Sequence, residues 1–289
     1  MGNKSKSLTH SLKKNSSRLY LDQPLSLGQS LEIEGGQGHY LMNVMRLKEG
    51  DGFRLFNGRD GEWQALILKA KRGRLMVQVT ECLKEQHKQE SEGQDADLAY
   101  LFSPLKKGRL DYMIQKATEL GADHLYPVLT DFTHLERFKE DKISLNAIEA
   151  AEQCERLTVP HCYERQRWDD LLAAWSSRPE LKDRYLIFCD EAGFQDGVTR
   201  TMTEAVQHGL NQIREMNQIR ETELNLEAHR AAILIGPEGG FSEREREMIR
   251  GLPYAIPVTL GPLILRADTA AVAALSLWQS AFGDWRARG

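Results

Sequence analysis

The sequence predicts an α/β fold: a mostly parallel sheet with helices on both faces, preceded by a small β-rich domain. Three observations predict it. Short apolar runs at Leu98–Phe102, His124–Leu129, Tyr185–Asp190 and Ala231–Ile235 alternate with amphipathic helical stretches. Such strands, apolar along their length, are what a sheet covered on both sides requires. Two strand-to-helix passages are glycine loops, AAILIGPEGGF at Ala231–Phe241 and LGPLILRADTAAVAA at Leu260–Ala274. Ahead of all these, from Arg18 to about Cys82, the spacing is that of short strands with close turns, and a polar, acidic linker at 85–97 separates the two patterns.

Composition narrows the class. At 289 residues the chain has room for one large domain or two ordinary ones. A net charge of −4 does not mark a nucleic-acid binder, but local patches rather than the sum decide that property. The four cysteines stand apart, with no CxxC pair and no histidine cluster at ligand spacing, so no metal site is expected. Scattered thiols fit a reducing cytosol, and a cytoplasmic protein is expected. No apolar run is long enough to span a membrane, and the basic N-terminus lacks the apolar core of a secretory signal.

In order, residues 1–17 carry Lys4, Lys6, Lys13 and Lys14 without an acid and read as a basic tail. Arg18–Leu21 and Ser30–Ile33 alternate as strands do. His39–Leu47 places Tyr40, Val44 and Leu47 on one helical face. Glu62–Leu68 and Arg74–Thr80 read as a strand pair around Lys71-Arg72-Gly73. Residues 18–84 thus predict a compact barrel. Basic residues recur at its turns with Phe53, Phe56 and Trp63 among them. That mixture suits a nucleic-acid face, and a solvated barrel surface explains it as well.

The domain from 98 to 289 follows. After Leu98–Phe102, Leu110, Met113, Ile114, Ala117 and Leu120 form the apolar stripe of a helix that stops at Gly121, with Arg109 and Lys116 on its polar side. A strand at His124–Leu129, a helix at Ser144–Arg156, a strand near Val159–Tyr163, a short helix at Arg167–Trp175 and a strand at Tyr185–Asp190 complete the alternation. In 198–229, Asn211–Glu215 recurs as Asn217–Glu221, a spacing that does not hold one helical face; the segment reads as a charged, solvent-facing helical insertion.

The glycine loops are the candidate ligand site, because an open α/β sheet holds its ligand at the carboxyl ends of its strands. Glycine there lets backbone approach a ligand and leaves N–H groups free to donate. Ser242 with Glu245 has capping-box spacing, and Asp268 or Thr269 is placed to cap the final apolar helix, Ala270–Phe282. Neither loop is a P-loop or a GxGxxG fingerprint, and either alone reads equally well as an ordinary βα turn.

Four segments, Gln115–Gly121 (QKATELG), Glu149–Gln153 (EAAEQ), Ile235–Phe241 (IGPEGGF) and Leu260–Ala270 (LGPLILRADTA), occur in an order that resembles RsmE, the small-subunit rRNA methyltransferase family of the SPOUT superfamily. The resemblance covers about Arg18 to Phe282. It implies an N-terminal PUA-like barrel, a C-terminal trefoil-knotted domain, a homodimer, S-adenosylmethionine as donor, and methylation of N3 of one uridine in 16S rRNA. Three positions depart from the family's pattern. Leu263 stands where Arg is usual, Asp268 where Glu is usual, and Glu155 precedes Arg156 where a small residue is more usual.

Carried over by motif, the donor loops are Leu129-Thr130, then Ile235, Gly236, Pro237, Glu238, Gly239 and Gly240, then Leu260, Gly261, Ile264, Leu265 and Arg266, with Thr269 and Ala270 behind them. Arg266 is the candidate to stabilise charge developing on the uracil, and Asp268 and Glu238 are candidate bases for its N3 proton. Lys106, Lys107, Arg109, Lys116 and Arg156, with Arg18 and Arg46 of the barrel, are the candidate RNA contacts. Three rivals remain: a knotted methyltransferase for another RNA or base, a non-catalytic RNA-binding protein, and a small-molecule α/β enzyme.

Overall fold

The computed structural model describes residues 17–86, 97–134, 139–190, 202–217, 230–283 and 285. The basic tail and most of the linker lie outside them. Contacts divide the chain into two compact units between 87 and 88.

The first unit is a five-stranded sheet in the order β1 (Arg18–Tyr20), β3 (Gly52–Phe56), β4 (Glu62–Lys71), β5 (Arg74–Lys84) and β2 (Ser30–Ile33). The β1–β3 pair is parallel and the others are antiparallel. Alternate residues point inward, so Leu31, Ile33, Leu55, Ile67, Leu75 and Val77 form its core. Helix α1 (Gly35–His39) packs on β5, and Gln37 Nε2 donates to Tyr20 O at the end of β1 at 2.7 Å.

Two expectations are corrected in this unit. The helix begins four residues before His39, and within it Gly38 comes so close to the β4–β5 turn that a Cβ there would lie 2.3 Å from Gly73 O. It continues as a π-turn, Tyr40–Val44, with Met45 N donating to Tyr40 O. The wider turn rotates the face, so Leu41 is buried and Val44 is exposed. The aromatic face also dissolves: Phe53 and Phe56 belong to β3 and are fully buried.

The second unit is a parallel sheet of seven strands with the main order β12-β10-β11-β6-β7-β8, and β9 on β7. In chain order its elements are β6 (Leu98–Phe102), α2 (Lys107–Glu119), β7 (His124–Leu129), α3 (Asp141–Gln153), β8 (His161–Cys162), β9 (Gln166–Arg167), α4 (Trp168–Ala174), β10 (Tyr185–Cys189), α5 (Met202–Asn217), β11 (Ala231–Ile235), α6 (Glu243–Arg250), β12 (Ala255–Val258) and α7 (Ala267–Ala281). The strand alternation splits the apolar residues between two cores. Tyr100, Phe102, Ile187 and Ile233 face α2, α3, α5 and α7. Leu101, Leu186, Phe188 and Leu234 face α4 and α6. Both faces are covered, as the apolar strands require.

The expected insertion is corrected in part. In α5, Met202, Ala205 and Val206 are buried, and a Cβ on Gly209 would lie 2.8 Å from Ile256 Cγ2. This stretch is core. Charge later in the segment hid its short apolar face from a composition reading. The repeat itself falls almost wholly outside the described side chains.

The strand order places the site. β11 inserts between β6 and β10, and β12 pairs with the outer side of β10. From that edge strand the chain returns across the sheet to lay α7 on α2 and β11. The carboxyl ends of β10, β11 and β12 therefore stand side by side where the connections change direction, which is where such sheets open a crevice.

Candidate active site

A cleft of about 200 Å3 occupies that crevice. Cys189 and Asp190 of the β10 end form one side, and Ile235, Gly236, Pro237, Glu238 and Gly240 form another. Thr259, Leu260, Gly261, Leu263, Ile264, Leu265 and Arg266 form the third, with Ala267 and Ala270 of α7 behind them.

Each loop has a local reason for its shape. Gly236 packs on the buried Phe241 ring, which a Cβ would approach to 2.6 Å. Gly240 holds φ of 69° and closes the turn by donating to Pro237 O at 2.9 Å. Ser242 then starts α6 with the capping box its spacing predicts: its N–H donates to Glu245 Oε2 at 3.0 Å and its Oγ accepts from Glu245 N at 3.2 Å. Gly261 sits at φ of 116°, with its N–H and carbonyl both bonded to Thr259 Oγ1. Beyond it Leu263 and Ile264 are 76% and 79% exposed at the mouth. Among the described residues, the N–H groups of Leu263, Ile264 and Leu265 meet no protein acceptor.

Arg266 is the N-cap residue of α7, in extended backbone at ψ 150°, with an exposed side chain that lines the cleft. Glu238 lines the opposite loop, where Arg109 Nη1 donates to its Oε1 at 3.0 Å. Asp190 is buried, and both its oxygens are held from α6, by Arg246 Nε at 3.2 Å and Arg250 Nη2 at 2.8 Å. Burial, with Asp190 beside it, pushes the Cys189 thiol up to about 12, so it stays protonated and is no nucleophile. No group of three or more His, Cys, Asp or Glu is placed to hold a metal among the described residues.

The structure brings together most of the predicted loop residues and sets others apart. Neither Asp268 nor Thr269 caps α7, because the helix starts earlier, at Ala267. Asp268 lies in the first turn, accepts from Thr269 N at 2.9 Å, and is outside the lining. Leu129, Thr130, Gly239 and Thr269 are also outside it. Thr130 is buried and bonded to Thr133 and Ser103, and Asp131 N donates to Glu245 Oε1 at 2.8 Å. That loop braces the start of α6 instead of walling the cleft.

The RNA candidates divide in the same way. Lys106 is exposed at the N-cap of α2, with Arg109 in the first turn, both near the carboxyl end of β6. The side chain of Lys107 lies outside the described ones. Lys116 sits roughly 14 Å further down the helix axis and is paired with Glu119. Arg156 bonds Thr118 O, Ala122 O and Asp123 at the amino end of β7, the opposite end from the cleft. Arg18 is buried, with Nε 2.5 Å from Glu62 Oε2 and its guanidinium over Phe56, so it is a core group and not an RNA contact. Arg46 is exposed at φ 58°.

Sequence reasoning missed Cys189, Asp190, Thr259, Leu263 and Ala267 as lining. The first two were findable, since they end an apolar strand and strand carboxyl ends are where such sheets bind ligands.

The comparisons with known proteins agree with this geometry. A family described as the RNA methyltransferase domain matches residues 92–279, and an RNA methyltransferase PUA domain matches 33–80. The chain is 28% identical over 260 residues to the ribosomal RNA small subunit methyltransferase E of Rickettsia conorii, covering 90% of this chain and 93% of that protein. It is 26% identical over 264 residues to the Bacillus subtilis protein of the same name, covering 88% and 91%. Among solved structures, a putative methyltransferase from Legionella pneumophila in complex with the cofactor SAM has a TM-score of 0.71 at 26% identity, covering 93% of this chain and 99% of that one. The ribosomal RNA small subunit methyltransferase E of Neisseria gonorrhoeae, at 23% identity, has the same fold, with a TM-score of 0.71 over 94% of this chain and all 100% of that one. The chain belongs to the RNA methyltransferase family of RsmE type.

Proposed function

We infer that this protein transfers a methyl group from S-adenosylmethionine to N3 of a uridine in small-subunit (16S) ribosomal RNA, in the cytoplasm and as a homodimer. The observation that carries the reading is the cleft itself. In a chain of this family, both glycine loops and Arg266 converge on one crevice at the strand ends. The residues fit such a donor: Leu260, Ile264 and Leu265 supply apolar walls for a purine ring, and the unpaired N–H groups of 263–265 supply donors for its edge.

When bound, the donor supplies an electrophilic methyl group on a sulfonium centre. The chain must then place a uracil N3 in line with that methyl and take away its proton. Arg266, exposed at the cleft edge, reaches toward a uracil carbonyl and stabilises the charge that builds there as the proton leaves. Glu238 is the cleft carboxylate at the mouth, and it receives the proton. Leu263 and Ile264 present apolar surface against which a flipped base can stack. Holding the reactants in this geometry accounts for much of the rate. Lys106, Arg109 and Arg46 hold phosphates. The apolar α7, with Leu277 exposed, gives a second copy a face to cover.

The test is methyl transfer from labelled donor to small ribosomal subunits from cells lacking this protein, with nucleoside analysis of the product. Label in 3-methyluridine is the expected result. Label in another nucleoside keeps the donor and discards the acceptor. No label together with no donor binding favours an RNA-binding protein without catalysis.

A further inference from the structure

Resting on that reading, we propose that Arg109 is a positioning residue that masks Glu238 until RNA arrives. A backbone phosphate of the bound RNA takes over the guanidinium, and the released carboxylate then accepts the N3 proton of the target uridine.

Three observations lead here. The Arg109–Glu238 pair, at 3.0 Å, ties the first turn of α2 to the GPEGG loop across 129 positions of sequence, so it joins the proposed phosphate surface to the cleft wall. Both side chains are partly open, at 39% and 43% exposure, and an incoming RNA can reach either. Other carboxylates near the cleft are committed elsewhere. Asp190 is closed off by Arg246 and Arg250, and Asp268 lies outside the lining. The first turn of α2 contains no acid, so Glu238 provides the counter-charge to Arg109 from outside the helix.

The exchange follows from the relative strength of the two pairings. An exposed carboxylate–guanidinium pair contributes little, because water screens it and two long side chains must be held still. A phosphate offers the guanidinium a two-pronged, charge-assisted contact backed by the rest of the RNA interface. While Arg109 faces it, the guanidinium occupies Glu238 Oε1; once Arg109 turns to a phosphate, that oxygen is open to the N3 proton. In the step itself the N3–H bond breaks toward Glu238, N3 forms a bond to the methyl carbon, and the methyl–sulfur bond breaks. The products are the neutral thioether, methylated uridine and a protonated carboxylate that later returns its proton to water. RNA binding and base release thus become one event.

The test is a double-mutant cycle on affinity for unmethylated small subunits, measured with no donor present. Glu238→Gln frees Arg109 from its competitor and is expected to tighten binding about two- to fivefold. Arg109→Ala weakens binding, and Glu238→Gln adds nothing in the Arg109→Ala background. Equal tightening with and without Arg109 reflects charge alone and overturns the proposal. With donor, Arg109→Ala raises KM for small subunits and leaves kcat in place, because Arg109 no longer covers Glu238 in the bound complex either way. Arg109→Lys, which keeps the charge, restores KM in part. A fall in kcat with KM unchanged also overturns the proposal. A wild-type protein that neither binds nor methylates small subunits defeats the functional reading along with it. One that does both, yet gives an additive cycle, defeats the mask alone.

Discussion

At Arg266 the backbone leaves the cleft loop and enters α7, so the guanidinium is carried on a residue fixed by the helix start yet exposed at the mouth. No described carboxylate holds it in an ion pair, in contrast to Arg109, Arg156, Arg246 and Arg250. That leaves it available to charge that appears only during the reaction. Arg266→Ala is therefore expected to lower kcat by about 10²–10³-fold while donor affinity by calorimetry is unchanged. A variant that turns over normally would remove Arg266 from the chemistry. Other residues show where sequence reading misleads. Arg18 and Arg156 carry the charge an RNA contact needs, but the fold spends one beneath Phe56 against Glu62 and the other on carbonyls at the far end of the sheet. Charge is legible in a sequence; the end of the sheet that carries it is legible only after the strands are ordered.

Among elements, the central strands of the second unit were readable because a parallel sheet buries both faces, and β6, β7 and β11 appear at the expected bounds. Strand β3 was not, because its run is short and Arg54 breaks the apolar sequence that its buried neighbours Phe53 and Leu55 would otherwise form. Helix α5 is misread for a related reason: three buried side chains and a glycine are little signal beside a charged repeat. The close approach of Gly209 to Ile256 tests that correction. Gly209→Val places two methyl groups where a Cβ alone lies 2.8 Å from Ile256 Cγ2. Overpacking of this kind costs about 1–3 kcal/mol, and chemical denaturation should show a loss of that size. No loss would mean that α5 is the dispensable helix its charge suggested.

Across the whole molecule, the cores and the charges are apportioned between the units and between the two ends of the parallel sheet. All of one core cluster lies in the first unit, and the other two lie entirely in the second. At the amino ends of the parallel strands, Asp97 holds Arg184 and Arg230 in ion pairs and contacts His124, and Asp123 holds Arg156, so two carboxylates clamp that end. The carboxyl ends carry the glycine loops, the exposed Leu263 and Ile264, and Arg266. A rigid base under open loops is the arrangement in which loops carry function. Every described residue lining the cleft falls between Cys189 and Ala270, so the described residues of the first unit supply none of it. Removing residues 1–87 should therefore leave donor affinity unchanged by calorimetry. The same truncation removes Arg46 and the other exposed cations of the first unit. RNA affinity should fall, and the slope of log K against log salt should shrink by about 0.7–0.9 for each phosphate that the shortened protein no longer neutralises. If donor affinity fell with the truncation, the cleft would depend on the first unit. If the salt slope held, the first unit would have no part in gripping RNA, and the phosphate contacts would belong to the start of α2 alone.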